Sequence, residues 1–145
     1  MKRSANAIWQ GNLTEGSGTL TSQSSAISSL PYSFKGRFQD ESGTSGTNPE
    51  ELMAAAHAGC FAMQLSHFLA ENGTPGTKLD TKATVTVDPD PAGGFTIKSS
   101  ALELVGTVPG LDEAKFKELA DKAKATCPVS RAYGAIEVTL NARLG

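Results

Sequence analysis

A long apolar stretch with a well-defined start constrains the fold of this chain more than any other feature. It opens in the run GTNPEELMAAAHAGCF at residues 46–61, where Thr47 or Asn48 can act as the N-cap and Pro49 lies in the first turn. Asn72 and Gly73 form a typical helix end. A helix of this length spans more than about 30 Å, the width of a small domain. Because the stretch is apolar on most faces, we expect it to lie at the centre of the fold.

Alternating apolar and polar residues predict strands on both sides of this helix. The predicted strands cover residues 5–9, 18–22, 30–38, 79–87, 95–104 and 136–142. In the fifth of these the apolar phase slips near Ser99 and Ser100, which is typical of a β-bulge. A second helix follows an Asp112 cap and ends near Thr126. This order predicts an α+β fold with mostly antiparallel sheets around a long helix, in a single domain over residues 1–145.

Composition excludes several classes of function. Hydrophobic residues make up 39% of the chain and the net charge is −2, which is typical of a soluble globular protein and argues against nucleic-acid binding. His57 and Gln64 interrupt the apolar stretch, so it indicates a buried helix and no membrane partner. Lys2 and Arg3 have no apolar segment behind them, so we expect no secretory signal and a cytoplasmic location. In that reducing compartment the two cysteines are packed thiols, metal ligands or redox groups.

Cys60 has two competing interpretations. A lone cysteine among small apolar residues is most often a core residue, and burial raises the pKa of a thiol. Cys60 also lies some three turns inside the helix, too far from its N-terminus for the helix dipole to help. A reactive thiolate at Cys60 therefore requires a specific cation. Arg37 is the candidate, because arginine stays charged when it is desolvated, although by itself it is also consistent with a structural role.

Glu50 either completes the helix cap or also orients Arg37. Glu50 and Cys60 are ten residues apart, which is about 15 Å along one helix axis. One guanidinium cannot hydrogen-bond both groups of the same chain, because each contact must be about 3 Å. If the three residues share a site, we expect Glu50 and its Arg37 to come from the other subunit of a dimer.

Cys127 and His57 are the remaining candidates for chemistry. Cys127 precedes Pro128, so it can lie at the start of a short helical turn, where backbone N–H groups lower a thiol pKa. The alternative is a packing residue at a helix end. His57 can act as a base, or it can be a core histidine with satisfied hydrogen bonds. The spacing of His57, Cys60 and Cys127 is a weak metal motif, and the chain lacks the Gly-x-Ser-x-Gly elbow of many hydrolases.

Taken together, these motifs resemble the OsmC/Ohr family of thiol-dependent organic hydroperoxide peroxidases, and the OsmC branch in particular. The similarity extends over nearly the whole chain. The motifs that carry it are AIWQG at residues 7–11, PYSF at 31–34, Arg37 with Phe38, the block at 46–61, and AKATCPVS at 123–130.

The resemblance implies an OsmC-like fold in an intertwined homodimer, with active sites between the subunits. It implies that Cys60 is the peroxidatic cysteine and Cys127 the resolving one. Arg37 and Glu50 match the arginine and glutamate of the family, and His57 fits the OsmC branch. The loop at residues 39–46 is a few residues longer than the family pattern.

The expected reaction follows from these roles. Arg37, oriented by Glu50, stabilises the Cys60 thiolate, which attacks the peroxide and becomes a sulfenic acid. Cys127 then forms a disulfide with Cys60, and an external dithiol, such as a dihydrolipoyl protein, regenerates both thiols. No metal, flavin or heme is expected as a cofactor.

An apolar setting is expected to favour organic hydroperoxides as substrates over hydrogen peroxide. The side chains expected to contact the substrate are His57, Phe34, Phe38, Phe61 and Met63. Two alternatives from other classes remain, a noncatalytic redox sensor or binding protein that uses the same thiols, and a structural stress protein whose thiols are inert.

Overall fold

The computed structural model describes all 145 residues, which form two compact units, residues 1–52 and residues 53–145. Each unit contains one three-stranded sheet, and most strand pairs are antiparallel, so the predicted α+β class is confirmed. The single domain expected over residues 1–145 stays a prediction. No helix of the chain combines the length and the apolar character needed to cross a lipid bilayer.

The first unit begins with an antiparallel sheet. It contains β1 (Ala5–Gln10), β2 (Ser17–Ser22) and β3 (Leu30–Ser33), in that order across the sheet. The first two strands were predicted correctly. They pair from Ala5 opposite Ser22 to Gln10 opposite Ser17.

The third extended segment ends five residues before its predicted end at Phe38. The short helix α1 (Phe34–Phe38) begins there, because Ser33 Oγ accepts a hydrogen bond of 3.0 Å from the Gly36 backbone N–H and so caps the helix. The rings of Phe34 and Phe38 lie 5.1 Å apart, one turn along this helix. The prediction beyond Ser33 was wrong, because alternation over so few residues does not distinguish a strand from a single helical turn.

One carboxylate organises the loop of residues 39–46. Asp40 accepts hydrogen bonds from the backbone N–H groups of Ser42 (2.9 Å), Thr44 (2.9 Å) and Ser45 (2.8 Å). The side chains of Ser42 and Ser45, together with the backbone N–H groups of the same two residues, hold the pKa of Asp40 well below its usual range. The repeated Ser-Gly-Thr sequence is therefore held by local hydrogen bonds between a side chain and the backbone.

The long helix α2 (Pro49–Glu71) has the predicted boundaries. Asn48 Oδ1 accepts a hydrogen bond of 2.8 Å from the Glu51 backbone N–H, so Asn48 is the N-cap. Gly73, at a φ of 77°, ends the helix, and the Thr74 backbone N–H donates to the Leu69 carbonyl at 3.0 Å. Four apolar side chains of this helix are buried in the core, and they are Phe61, Leu65, Phe68 and Leu69.

The second unit contains the sheet of β4 (Lys78–Pro89), β5 (Phe95–Thr107) and β6 (Glu137–Leu144), in that order. Strands β4 and β5 are antiparallel, whereas β5 and β6 are parallel. Thr86 pairs with Ser99 and Val87 pairs with Ile97, which leaves Lys98 as an extra residue on β5. The predicted bulge is therefore confirmed one residue before Ser99.

Two helices make the crossover that a parallel strand pair requires. They are α3 (Glu113–Thr126) and α4 (Pro128–Ala132). Asp112 caps α3 as predicted, because its Oδ1 accepts a hydrogen bond of 2.9 Å from the Lys115 backbone N–H. The buried face of α3 is the predicted one, and it consists of Phe116, Leu119, Ala120 and Ala123.

A glycine lets α3 pack closely on the sheet. A Cβ atom added at Gly106 of β5 would clash with the ring of Phe116, which is fully buried. The absence of a side chain at this position therefore makes room for the largest residue of the helix.

Candidate active site

Cys60 and Cys127 form a close pair of thiols in the second unit. Their Sγ atoms are 3.1 Å apart, and both cysteines are free. A disulfide needs a separation of about 2.0 Å between the sulfurs, so the two sulfurs would have to approach by only roughly 1 Å if an oxidant joined them. Cys60 is half-buried on α2, whereas Cys127 has no exposed surface.

The junction between α3 and α4 positions Cys127. The Cys127 backbone N–H donates to the Ala123 carbonyl at 2.8 Å and so ends α3, and Pro128 occupies the first turn of α4. This is the short helical turn predicted from the sequence.

The environments of the two thiols shift their pKa values in opposite directions. Burial raises the pKa of Cys60, and its hydrogen bond with Cys127 raises it further. Burial also acts to raise the pKa of Cys127, but the polar contacts of its sulfur with Ser130 and Cys60 outweigh burial and lower this pKa. Within this chain, Cys127 is therefore the more acidic of the two thiols.

His57 lies fully buried beside this pair and has two hydrogen-bond partners. Its Nδ1 is 2.6 Å from Ser100 Oγ, and its Nε2 is 2.8 Å from Ser130 Oγ. Burial lowers the pKa of His57, so the ring is neutral. The edge of the ring also contacts Tyr133, with 5.2 Å between the ring centroids. The geometry is that of a core histidine with satisfied hydrogen bonds.

Arg37 and Glu50 form a two-point ion pair in the first unit. Arg37 Nε donates to Glu50 Oε2 at 3.1 Å, and Nη2 donates to Oε1 at 2.6 Å. The Glu50 side chain is 10% exposed and that of Arg37 is 33% exposed. This fork fixes the plane of the guanidinium, and the remaining N–H groups of Arg37 stay available for an anion.

A cavity of about 350 Å³ lies beside this ion pair in the first unit. Its lining is mostly apolar and consists of Trp9, Leu13, Tyr32, Ser33, Phe34, Arg37, Phe38 and Pro49. The guanidinium carbon of Arg37 lies 4.6 Å from the centroid of the Phe38 ring. The cavity therefore combines an oriented cation with space for an apolar group.

The structure groups the residues singled out in the sequence into two sets. Arg37, Glu50, Phe34 and Phe38 lie together in the first unit. Cys60, Cys127 and His57 lie together in the second.

Phe61 and Met63 have contrasting positions. Phe61 is fully buried in the core, so a substrate would contact it only if it were uncovered. Met63 is 77% exposed. No group of three or more His, Cys, Asp or Glu side chains is arranged to hold a metal ion.

Sequence reasoning missed Ser130, Ser100 and Tyr133. Ser130 follows Cys127 by three residues, one helical turn, so its place in the Cys-Pro-Val-Ser motif was an available signal. Ser100 gave no such signal, because it is 43 residues from His57 and the slip of the apolar phase around it indicated only a β-bulge. Tyr133, whose hydroxyl donates to the Met53 carbonyl at 3.0 Å, gave none either.

Comparison with known proteins identifies the family of this chain. The model of the family described as OsmC-like protein matches residues 40–141. The chain belongs to the OsmC-like family. The OsmC-like family match includes Glu50, Cys60 and Cys127 and begins three residues after Arg37.

Relatives of known name lie within the same group. The chain is 45% identical over 138 residues to peroxiredoxin OsmC of Escherichia coli (strain K12), covering 95% of this chain and 93% of that protein. It is 39% identical over 104 residues to the organic hydroperoxide resistance protein of Xanthomonas axonopodis pv. citri, covering 68% of each.

Solved structures of OsmC-like proteins share the fold. The crystal structure of the organic hydroperoxide resistance protein OhrB of Bacillus subtilis matches with a TM-score of 0.74 and 28% identity, over 97% of this chain and 98% of that one. A Legionella pneumophila protein described as an organic hydroperoxide resistance protein OsmC matches with a TM-score of 0.76 and 24% identity, over 97% and 96% of the two chains.

Proposed function

We propose that this chain is a peroxidase that uses its two thiols to reduce organic hydroperoxides to alcohols. The observation that carries the proposal is the 3.1 Å contact between Cys60 Sγ and Cys127 Sγ in a chain of the OsmC-like family. The names of its relatives, peroxiredoxin and organic hydroperoxide resistance protein, support a peroxide-reducing oxidoreductase.

In the first step, Cys60 is the sulfur that meets the peroxide, because it is half-buried whereas Cys127 has no exposed surface. The Cys60 thiolate attacks the outer peroxide oxygen, an S–O bond forms and the O–O bond breaks. The alkoxide takes up a proton and leaves as an alcohol. Cys60 is left as a sulfenic acid.

In the second step, the Cys127 thiolate attacks the Cys60 sulfur. The S–S bond forms, the S–O bond breaks, and hydroxide leaves and is protonated to water. The short distance between the sulfurs favours this step over further oxidation of Cys60. A dithiol such as a dihydrolipoyl protein then reduces the disulfide by exchange and is itself oxidised.

The raised pKa of Cys60 requires a cation that lowers it during the reaction. Arg37 is held by Glu50 on the same chain, and Glu50 is about 15 Å from Cys60 along α2. We therefore infer that the partner subunit of a homodimer supplies Arg37 and Glu50 to the Cys60 of this chain. A guanidinium near Cys60 would stabilise its thiolate and polarise the peroxide.

One exposed face of α2 supports a dimer. Ala55, Gly59 and Met63 are all exposed and follow one another at four-residue spacing, so they form a row along the helix. No atom outside the helix lies within 4 Å of the position a Cβ would take at Gly59. A second copy of the chain can approach closely along this row.

The apolar cavity beside Arg37 suits the organic part of the substrate. Phe34 and Phe38 line it, so each subunit would offer an apolar pocket together with its guanidinium. Hydrogen peroxide has no apolar group to bury there and gains nothing from this surface.

The deciding experiment is hydroperoxide consumption with excess dithiol. We expect faster turnover of cumene hydroperoxide than of hydrogen peroxide by the wild type, and none by Cys60→Ser. Equal efficiency on both peroxides would contradict the substrate assignment. A wild type that is oxidised once but does not turn over would support a redox sensor instead, and thiols that do not react would support a structural protein.

Complementation between chains tests the shared site. We mix Cys60→Ser with Glu50→Ala subunits, each of which is expected to be inactive alone. If Glu50 acts across the dimer, the mixed dimer has one complete site and regains activity. If Glu50 acts within its own chain, neither site is complete and the mixture stays inactive.

A further inference from the structure

The contact between the two thiols belongs to a series of contacts that join one face of α2 to residues 126–133. On α2 the series uses residues at spacings of four, three and four, which lie on one face of a helix, and they are Met53, His57, Cys60 and Gln64. Their partners are, in the same order, Tyr133, Ser130, Cys127 and Thr126. The segment therefore runs antiparallel to α2, with other pairs on both sides of the thiols. We call three of these pairs the flanking contacts, and they are Met53–Tyr133, His57–Ser130 and Gln64–Thr126.

Two hydrogen bonds hold α4 against α2 on the side of the series that follows Cys127 in the chain. The Tyr133 hydroxyl donates to the Met53 carbonyl at 3.0 Å, and His57 Nε2 is 2.8 Å from Ser130 Oγ. His57 has no exposed surface and Ser130 is 8% exposed, so water does not compete for the bond between them. A second serine of the core also holds the ring, because its Oγ lies 2.6 Å from His57 Nδ1.

The backbone of Cys127 is attached to both of the helices that the flanking contacts hold. Its N–H donates to the Ala123 carbonyl of α3 at 2.8 Å, and its carbonyl accepts a hydrogen bond of 3.0 Å from the Arg131 N–H of α4. On the α3 side, Gln64 Nε2 donates to Thr126 Oγ1 at 3.3 Å. Cys127 therefore stays close to the other thiol as long as both helices stay on α2.

The thiols do not hold themselves together, because a thiol is a weak donor and a weak acceptor. We propose that Ser130 and Tyr133 are positioning residues. Through their bonds to α2 they keep Cys127 Sγ within reach of Cys60 Sγ before any disulfide forms. The proposal rests on the proposed function for its purpose, since a resolving thiol must reach the sulfenic acid before a second peroxide does.

The first test measures the equilibrium between the two thiols and their disulfide in a glutathione redox buffer, with no peroxide present. The double variant Ser130→Ala with Tyr133→Phe removes both hydroxyls that bind α2 and keeps the aromatic ring. In its reduced form α4 is free to move away, so closing the disulfide must first bring the sulfurs back together. We expect the equilibrium constant for disulfide formation to fall about tenfold, which is a shift of about 30 mV in the reduction potential.

A purely structural role would leave this equilibrium unchanged, because it would destabilise the reduced and the oxidised protein equally. Urea unfolding of both forms measures that destabilisation separately. Thr77→Val is the matched control and should not shift the equilibrium, because the Thr77 hydroxyl also donates to a backbone carbonyl, that of Thr107 at 3.1 Å, outside the flanking contacts. An equilibrium constant of the double variant equal to that of the wild type would overturn the proposal.

The second test uses the unaltered protein, so it does not depend on a variant that folds. The backbone N–H groups of Arg131 and Tyr133 donate to the carbonyls of Cys127 and Val129. If the flanking contacts hold α4 without a disulfide, these two amides of the reduced protein should exchange with solvent at least about 100-fold more slowly than in an unfolded chain. Exchange at the rate of an unfolded chain would contradict the proposal, because α4 would then leave α2 freely.

These tests separate the flanking contacts from the proposed function. If the wild type consumes no hydroperoxide, the peroxidase assignment fails, but the redox equilibrium and the amide exchange still report on the flanking contacts. If turnover is normal and the double variant leaves the equilibrium unchanged, the positioning role fails alone.

Discussion

At the scale of single residues, the two cysteines differ in exposure and in acidity. Cys60 is half-buried and has a raised pKa, whereas Cys127 is fully buried and has a lowered one. The more acidic thiol is thus the one that a peroxide cannot reach. This division agrees with Cys127 as the resolving residue and leaves Cys60 dependent on a cation from elsewhere.

The role of Cys127 predicts the behaviour of Cys127→Ser. We expect this variant to react once with an organic hydroperoxide and to lose steady-state turnover, because no second thiol closes the disulfide. A reagent that traps sulfenic acids should label Cys60 in this variant, with detection by mass spectrometry, and label little of the wild type. Cys60→Ser is the matched control and should take no label. Undiminished turnover by Cys127→Ser would contradict the role of Cys127.

How much of this site can be predicted from the sequence depends on how many residues separate two interacting side chains along the chain. The caps at Asn48 and Asp112 were predictable, because each acts within three residues. The pairing of Cys60 with Cys127, across 67 residues, came only from the family resemblance. The contact of His57 with Ser100 was not predictable, because nothing local distinguishes a serine that faces a buried ring.

At the scale of elements, the order of the second sheet is the feature that alternation alone did not reveal. The pattern of β6 shows which of its faces is buried, but not that its partner is β5 or that the two are parallel. The bulge at Lys98 was predictable, because the apolar residues of β5 change from odd to even positions there. Strand pairing accommodates this change by leaving one residue of β5 unpaired.

Close packing of α3 on β5 leads to a prediction for Gly106. In Gly106→Ala the added methyl would overlap the ring of Phe116, and we expect a loss of about 1–3 kcal/mol in the free energy of unfolding. Urea unfolding measures it. In the Phe116→Leu background the same Gly106→Ala change should cost less, because the ring atoms that the methyl would overlap are absent. A Gly106→Ala protein as stable as the wild type would contradict the packing described for Phe116.

At the scale of the whole molecule, acid should destabilise the fold in two stages. Burial lowers the pKa of His57. Hydrogen bonds lower the pKa values of three carboxyl groups. The main donor is Ser42 for Asp40, Thr96 for Asp90 and the Leu144 N–H for Glu113. A group with a lower pKa in the folded state binds more protons in the unfolded chain as the pH falls. The contribution of each group to the free energy of unfolding is therefore complete above its unfolded pKa and is lost as the pH falls from there towards its folded pKa.

We expect the free energy of unfolding to fall first below pH 6.5, the ordinary value of histidine, and again below pH 4.5 and 3.8, the ordinary values of glutamate and aspartate. Urea unfolding across this range measures both stages. The first stage should be absent in His57→Gln. Constant stability of the wild type from about pH 7 to about pH 5 would contradict a buried neutral His57.

The exposed row on α2 leads to a prediction about assembly. We expect the wild type to sediment as a dimer, and Met63→Glu to weaken the dimer because it places a charge in an apolar interface. Ala114→Glu, which adds the same charge at an exposed residue of α3, is the control. A monomeric wild type that turns over hydroperoxide would contradict a site shared between subunits.

If the proposed disulfide forms, the difference in burial between the two cysteines also sets which sulfur a reductant reaches first. In the proposed disulfide, an incoming reductant thiolate would attack Cys60, the sulfur that it can reach, and would expel Cys127. A mixed disulfide with the reductant would therefore form on Cys60. Since a more acidic thiol is the better leaving group, the lowered pKa of Cys127 would also favour its release.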